Sequence, residues 1–419
     1  MKKSAYVEAM AHLRKGLELL KKLPETDKRN ELELALQFDL AASLIVPEGW
    51  ISPGVEQAYV RSYELCQQVG KTSKLIPVLQ GLRRLYALRG DQGDGQRALE
   101  LGDQLLALAQ RRNDAALLQE AHWALGQTFF YLGELIPVRS HLEQSSSFYT
   151  PQSLNSQASR DAAGTQIACL SFMGWTLWAL GHPDQALETC NEAVSLAQKL
   201  LHPFTLGFAL FMMAQLNQYM RKVQETLERA EALIALSNEH GFSLWLENGT
   251  PLRAWALVMQ GHSENGIVQM RQVIANKPSG VHTAAWPILY ALLVETYWAA
   301  GLVKEGLDLV TEALALVEKT GFRFYEAELH RLQGELLLNP SAFESRQAED
   351  YLRCALDLAR RQQAKSIELR AAMSLSRLWN KQGKKKKAYR LLSEKYVWFT
   401  EGFDTPDLLE AKALLNELL

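Results

Sequence analysis

Apolar residues recur along this chain every three or four positions, the spacing of a helix that buries one face. The stretch from 169 to 198 shows the pattern most fully. Leu170, Met173, Leu177 and Leu180 keep helical spacing, Gly181-His182-Pro183 breaks the run, and Ala186, Cys190, Ala193 and Ala197 form a second stripe. Gly174, Ala186 and Ala193 are small enough to let two antiparallel helices approach closely. The same helix–turn–helix pattern predicts pairs over 75–90 with 96–110, within 115–149, over 206–219 with 223–239, and over 251–260 with 264–275. It continues over 286–300 with 303–319, 323–338 with 347–361, and 367–381 with 384–396.

Recurrence at this period is the mark of a repeat array. Leu170, Met173-Gly174, Leu177, Gly181, Ala186, Cys190 and Ala193 occupy the pattern places of a tetratricopeptide repeat (TPR), which the unit resembles. The resemblance implies one continuous all-α domain over residues 1–419, a right-handed superhelix (α-solenoid) of about nine antiparallel helix pairs. Gly133 to Gly181 and Gly261 to Gly301 are each wider than the ~34 residues of a minimal repeat, so a more open, less regular superhelix is expected. Ala9, Leu13, Gly16 and Leu20 read as the second helix of a pair without its first, an unpaired apolar face for a partner or a second copy. Residues 150–164 are polar, rich in serine and without apolar period, and read as a flexible insertion. A break is expected at Lys277-Pro278-Ser279-Gly280, and residues 407–419 read as a capping helix.

Composition narrows the function classes. The 419 residues are 47% hydrophobic and 22% charged with net charge −2, which excludes a disordered chain and gives no footprint for nucleic acid or an anionic membrane. Charges scattered through the first helix leave no signal peptide or membrane span there. Cys66, Cys169, Cys190 and Cys354 share no metal-binding spacing, and a reduced, cytoplasmic chain is expected.

Candidate chemistry is sparse. Residues 90–95, Gly-Asp-Gln-Gly-Asp-Gly, follow no strand and precede no lysine–serine/threonine pair, so they read as a lengthened turn. His182 and His262 follow turn glycines at equivalent places, and no histidine has a second ligand three or four residues on. Glu326, Glu328, Arg331 and Glu335 have the spacing of exposed ion pairs, and Lys384 to Lys387 that of a solvated helix start. No nucleophile–base set, metal or cofactor is expected, and the reading is non-enzymatic.

The informative positions are aromatic and amide. In such repeats the first helix of each pair lines the concave groove. The register places Trp123, Gln127 and Phe130 there, then Ser171, Trp175 and Trp178, then Phe211, Gln215 and Gln218, then Trp255 and Val258, then Glu295 and Trp298. Aromatic anchors and amides suit a peptide or small-effector groove, although the tryptophans could equally fill the space between helices.

The stretch FRFYEAELHRLQGELLL from Phe322 and the tail Trp398-Phe399-Thr400-Glu401-Gly402-Phe403-Asp404-Thr405 add a more specific likeness. The whole chain resembles the C-terminal repeat region of large bacterial signalling proteins. Those proteins join a class III adenylate/guanylate cyclase or a protein kinase to a STAND-type ATPase and then to TPR repeats. No glycine-rich Gly-Lys-Ser/Thr loop is present, so the resemblance implies a sensor module without its ATPase. The expected function is recognition of a protein segment, peptide or small effector in the groove. The alternative is an oligomerisation or docking scaffold acting through its ends or convex face.

Overall fold

The computed structural model describes residues 2–70, 73–151, 156–275, 286–339 and 344–419. Among them twenty α-helices and no strands are found. Helix α1 (Lys2–Leu20) precedes nine antiparallel pairs. These are α2 (Asp27–Glu48) with α3 (Pro53–Val69), α4 (Leu75–Arg89) with α5 (Asp94–Arg112), and α6 (Ala115–Leu132) with α7 (Leu135–Ser147). Next come α8 (Gln157–Ala179) with α9 (Pro183–Leu200), α10 (Pro203–Tyr219) with α11 (Val223–His240), and α12 (Ser243–Met259) with α13 (Ser263–Ala275). Then follow α14 (Trp286–Ala299) with α15 (Val303–Thr320), α16 (Glu326–Leu337) with α17 (Ser345–Arg361), and α18 (Lys365–Lys381) with α19 (Lys385–Tyr396). Helix α20 (Pro406–Leu418) closes the stack.

Local chemistry sets the ends. Ser52 Oγ accepts from the Val55 amide at 3.2 Å, and Pro53 fills the first turn of α3. Gly181 takes φ 90°, a left-handed turn that joins α8 to α9 without strain. Within that pair a Cβ on Gly174 would strike Cys190 Sγ and the Ala186 carbonyl, so only glycine lets the two axes come this close.

The count of pairs agrees with the sequence, and several boundaries do not. Residues 157–164, read as flexible insertion, form the first turns of α8, whose Ser156 hydroxyl accepts from the Ser159 amide. Residues 152–155 of that segment, and the break at 277–280, lie outside the described residues. Helix α12 starts eight residues before the expected start at 251 and runs through Pro251. Helix α1 packs Gly16 against Leu36 of α2, while Leu19 and Leu23 stay exposed.

The expectation of an open superhelix is corrected. The turns within the second, third and fourth pairs rest on the segments that join α15 to α16, α17 to α18 and α19 to α20, and on the start of α18. Gly90 meets the Phe322 ring, and Gly133 meets Arg323 and Gln362. Gly181 meets Lys365, Trp398 and Phe399. Successive superhelical turns are therefore in direct contact. Backbone and side chains sew the seam: Arg323 N donates to the Tyr131 carbonyl at 2.8 Å, and Ser366 Oγ donates to the Trp178 carbonyl at 2.5 Å. Glu401 caps α9 by accepting from the Asp184 and Gln185 amides at 3.0 and 3.2 Å. Longer repeats supplied longer helices and positive-φ turns, and those turns are the surface on which the next level sits.

Candidate functional site

Side chains from three successive first helices, α10, α12 and α14, meet in one hydrogen-bonded group. Gln215 Nε2 donates to Gln218 Oε1 at 2.7 Å, and Gln218 Nε2 donates to Glu295 Oε2 at 2.7 Å, reaching from α10 past α12 to α14. Trp255 Nε1 of α12 donates to the same carboxylate oxygen at 3.1 Å. Four of the sequence-derived positions, Gln215, Gln218, Trp255 and Glu295, thus form one hydrogen-bonded chain.

Gln215, Gln218 and Trp255 are themselves buried, and Glu295 is half-buried. Trp178 is 2% exposed and stacks on Tyr219 with centroids 4.8 Å apart. Trp175 is buried and donates Nε1 to the Met212 carbonyl of the neighbouring α10 at 2.8 Å. Phe130 lies against Phe324 of the next superhelical turn at 4.0 Å, and Trp123 meets Phe172 edge-on at 5.2 Å. Phe211 sits between Trp175 and Trp245, and Val258 is buried. Ser171 is buried and spends its hydroxyl on the Ile167 carbonyl of its own helix. These side chains pack between helices and between turns. Gln127 is half-buried on the inner face of α6, and Trp298, at 38%, is the exposed member of the set.

Beside the Gln215–Glu295 chain lies a charged cluster that sequence reasoning did not place. Arg370 Nε donates to Asp407 Oδ2 at 2.8 Å, its Nη1 lies 3.4 Å from Glu328 Oε1, and its Nη2 donates to the Tyr219 carbonyl. The guanidinium also covers the Trp178 ring at 5.3 Å. Arg331 Nη2 donates to Glu328 at 2.7 Å, and Ser374 Oγ donates to Glu335. Arg221 reaches Asp407 at 3.2 Å and Glu410 at 2.5 Å, and Arg377 meets Glu410 at 2.6 Å. The pairs read from sequence as exposed are therefore interior: the Glu328 side chain is 2% exposed. The helical spacing was right, but the stacking of turns, which buries it, leaves no local trace.

The electrostatics follow from this placement. Burial pushes the Glu328 carboxyl up, and Arg331 and Arg370 beside it more than reverse this, so it stays below the usual carboxylate range. Glu295 lacks such a neighbour at contact distance. Burial raises its carboxyl, Arg370 opposes, Glu328 adds to the rise, and the more distant Arg331 and Arg221 oppose it. A raised folded-state value means that stability is full below the ordinary carboxylate range and falls as pH rises through the folded value. Glu295→Gln keeps an acceptor for Gln218 and Trp255 without the charge. The expected result is a higher melting temperature at pH 8 and a flatter fall as pH rises above the ordinary carboxylate range, read by calorimetry. An unchanged pH profile would assign the pH response elsewhere.

Among the described residues no group of three or more His, Cys, Asp or Glu side chains could hold a metal ion. His122 and His141 meet at 3.0 Å through Nδ1, a contact across α6 and α7 that sequence spacing did not reveal. Lys384 to Lys387 are exposed at the start of α19, as expected. No helix among the described residues is long and apolar enough to cross a membrane.

Comparison with known proteins defines a class. No family model matches the chain. It aligns over 390 residues at 22% identity with an uncharacterized protein of Rhizobium meliloti (strain 1021), covering 90% of this chain and 36% of that protein. The chain thus spans about a third of the length of the curated relative it matches. Among solved structures it is similar to the Rap conjugation gene regulator of the plasmid pLS20 in complex with the Phr* peptide. That match has a TM-score of 0.53 and 11% identity over 92% of this chain and 96% of that one. The apo form of RapI aligns over 92% of this chain and 98% of its own at 10% identity and a TM-score of 0.45. The fold is an all-α, TPR-like helix-pair solenoid.

Proposed function

We propose that the chain is a non-enzymatic recognition module whose inner face binds a peptide or protein segment. The observation that carries this reading is the buried Gln215–Gln218–Glu295–Trp255 chain, amide, carboxylate and indole groups that bridge α10, α12 and α14. Such groups can exchange their internal bonds for those of a peptide backbone. The similar Rap regulator was solved with a peptide, which supports the same use of this fold here. Binding signals only if it favours one superhelical pitch over another. The seam between turns, where Arg370 bonds the Tyr219 carbonyl at the end of α10, is the element that a guest between α10 and α14 would bias.

We further propose that the module serves within a bacterial signalling protein of the cyclase or kinase, STAND ATPase and repeat type, in the cytoplasm, with the repeats as sensor. The tail motif, and a relative more than twice as long as this chain, support that setting. No cofactor is required by this reading.

The test uses the inner face rather than Trp175 or Trp178, whose loss would report on folding. Wild type and a Gln215→Ala/Gln218→Ala double variant are used to capture peptides from a source-cell digest, with bound material identified by mass spectrometry. Expected is at least one peptide retained only by wild type at equal circular dichroism. Identical peptide sets would remove the inner face from recognition and favour the scaffold reading, for which Val397, Trp398, Phe403 and Leu409 are exposed near the C-terminal end.

A further inference from the structure

A second polar element stands on the inner wall several pairs before Glu295. Arg83 of α4 is 2% exposed, yet no carboxylate pairs with it at ion-pair distance among the described residues. Its Nη1 donates to Gln127 Oε1 of α6 at 2.9 Å and lies 3.4 Å from the Ala124 carbonyl. Its buried Nε has no hydrogen-bond partner among the described residues. Glu120, the carboxylate whose charge favours it, accepts instead from Thr165 Oγ1 at 3.2 Å. Neighbouring Arg84 points outward over the Trp50 ring and adds to the unfavourable charge.

Burial lowers the Arg83 guanidinium to about 10, with Arg84 adding to the effect and Glu120 and Tyr131 opposing it. The wall around it does not need this cation. The Ala124 carbonyl already accepts from Thr128 Oγ1 at 2.9 Å, and Gln127 also hydrogen-bonds the Tyr131 side chain. A buried, unpaired charge lowers stability and is kept where something outside the chain completes it. Residues Glu120, Ala124, Gln127 and Tyr131 fall on one face of α6, and Gln127 there is half-buried, so the face is reachable.

We infer that Arg83, with Gln127 and Tyr131, forms a binding subsite for a carboxylate, presented by a peptide C-terminus or by a small organic acid. One guanidinium offers a bidentate fork to one planar anion. A single positive charge beside Glu120 matches a monoanion, whereas a phosphate dianion would meet one cation and one repelling carboxylate. The subsite extends the recognition reading along the same inner wall, and it is tested without reliance on the Glu295 region.

The experiment is thermal unfolding of the full chain in acetate, in sodium phosphate, and with pentapeptide pools bearing free or amidated C termini, all against chloride at equal ionic strength. Wild type is compared with Arg83→Met and Gln127→Glu. Arg83→Met removes the unpaired charge and is expected to unfold at a higher temperature than wild type in chloride. Gln127→Glu sets an internal carboxylate against Nη1 and is expected to be stabilised as well. Wild type alone should gain stability with the logarithm of carboxylate concentration. Response to acetate and to free-terminus peptides alike assigns the group to any carboxylate; response to free-terminus peptides only assigns it to a peptide end. A lower melting temperature for both variants, an equal carboxylate response in all three proteins, or a response to phosphate alone would overturn the assignment. If Arg83→Met fails to fold, Gln127→Glu decides by the same readings. Absence of any carboxylate response in wild type, with peptide capture still dependent on Gln215 and Gln218, would sink this subsite and leave the broader function standing.

Discussion

Arg370→Ala is expected to lower the unfolding free energy by about 3–5 kcal/mol, the cost of breaking a buried charge pair from one side. The magnitude follows from what the guanidinium joins. It bonds Asp407 of α20, lies against Glu328 of α16, donates to the Tyr219 carbonyl at the end of α10, and covers Trp178 of α8. Burial works against its charge, and Asp407 and Glu328 overcome that opposition, so it stays fully protonated. Alanine would leave the Asp407 carboxylate with Arg221 alone, and Glu328 with Arg331 alone. It would also strand a buried carbonyl and open space beside an indole. Because α8 and α10 belong to one superhelical turn and α18 and α20 to the next, the damage falls on the seam.

Urea unfolding monitored by circular dichroism measures this loss. A second expectation separates the seam from ordinary packing. A linear repeat array is held by nearest-neighbour contacts, and weakening one interface lets its parts unfold separately. Arg370→Ala should therefore split a single transition into two, with the later pairs melting first. Arg370→Lys keeps a charge but cannot serve Asp407, Glu328 and the Tyr219 carbonyl in one plane, so it should recover only part of the loss. A shift under about 0.5 kcal/mol in Arg370→Ala, within the range of ordinary surface changes, would show that the turns are held by their apolar contacts alone.

The repeat architecture was legible because its determinants are local. The stripe from Leu170 to Ala197, the small residues at Gly174 and Ala186, and the turn at Gly181 each act within one pair, and each occupies its expected place. The hydrogen-bonded polar chain was partly legible for the same reason: register alone put Gln215, Gln218, Trp255 and Glu295 on one side of their helices. Arg370 and Asp407 were not legible. They lie on separate helices and become partners only when α20 docks beside α18 and both meet the preceding turn. Residues 157–164 misled for a different reason. Serine, alanine and glycine there have weak periodicity, and the helix is held by its cap at Ser156 and by contacts such as Thr165 Oγ1 to Glu120. Pro251 misled as a helix start because proline ends most helices, yet α12 continues through it, with Asn248 and Thr250 side chains bonding carbonyls one turn back.

Trp178→Ala provides the second large effect, and Trp298→Ala its control. Register treats the two tryptophans alike, since both fall near the C-terminal end of a first helix. The structure separates them by surroundings. Trp178 lies between Tyr219 on one face and Arg370 on another, under a carbonyl that accepts from Ser366 of the next turn. Truncation to alanine removes the stack, uncovers a buried cation and leaves a cavity at the seam, an expected loss of about 3–5 kcal/mol. Trp178→Phe keeps part of the stack on Tyr219 and should lose less. Trp298 is more than a third exposed, so its truncation should stay within about 0.5 kcal/mol. Denaturation midpoints of the three variants, measured beside wild type, check the ordering. If Trp178→Ala instead kept full stability while peptide capture failed, Trp178 would be a contact residue and the seam would open on binding. If Trp298→Ala lost capture at unchanged stability, the recognition surface would extend along α14 from Glu295 to its exposed end.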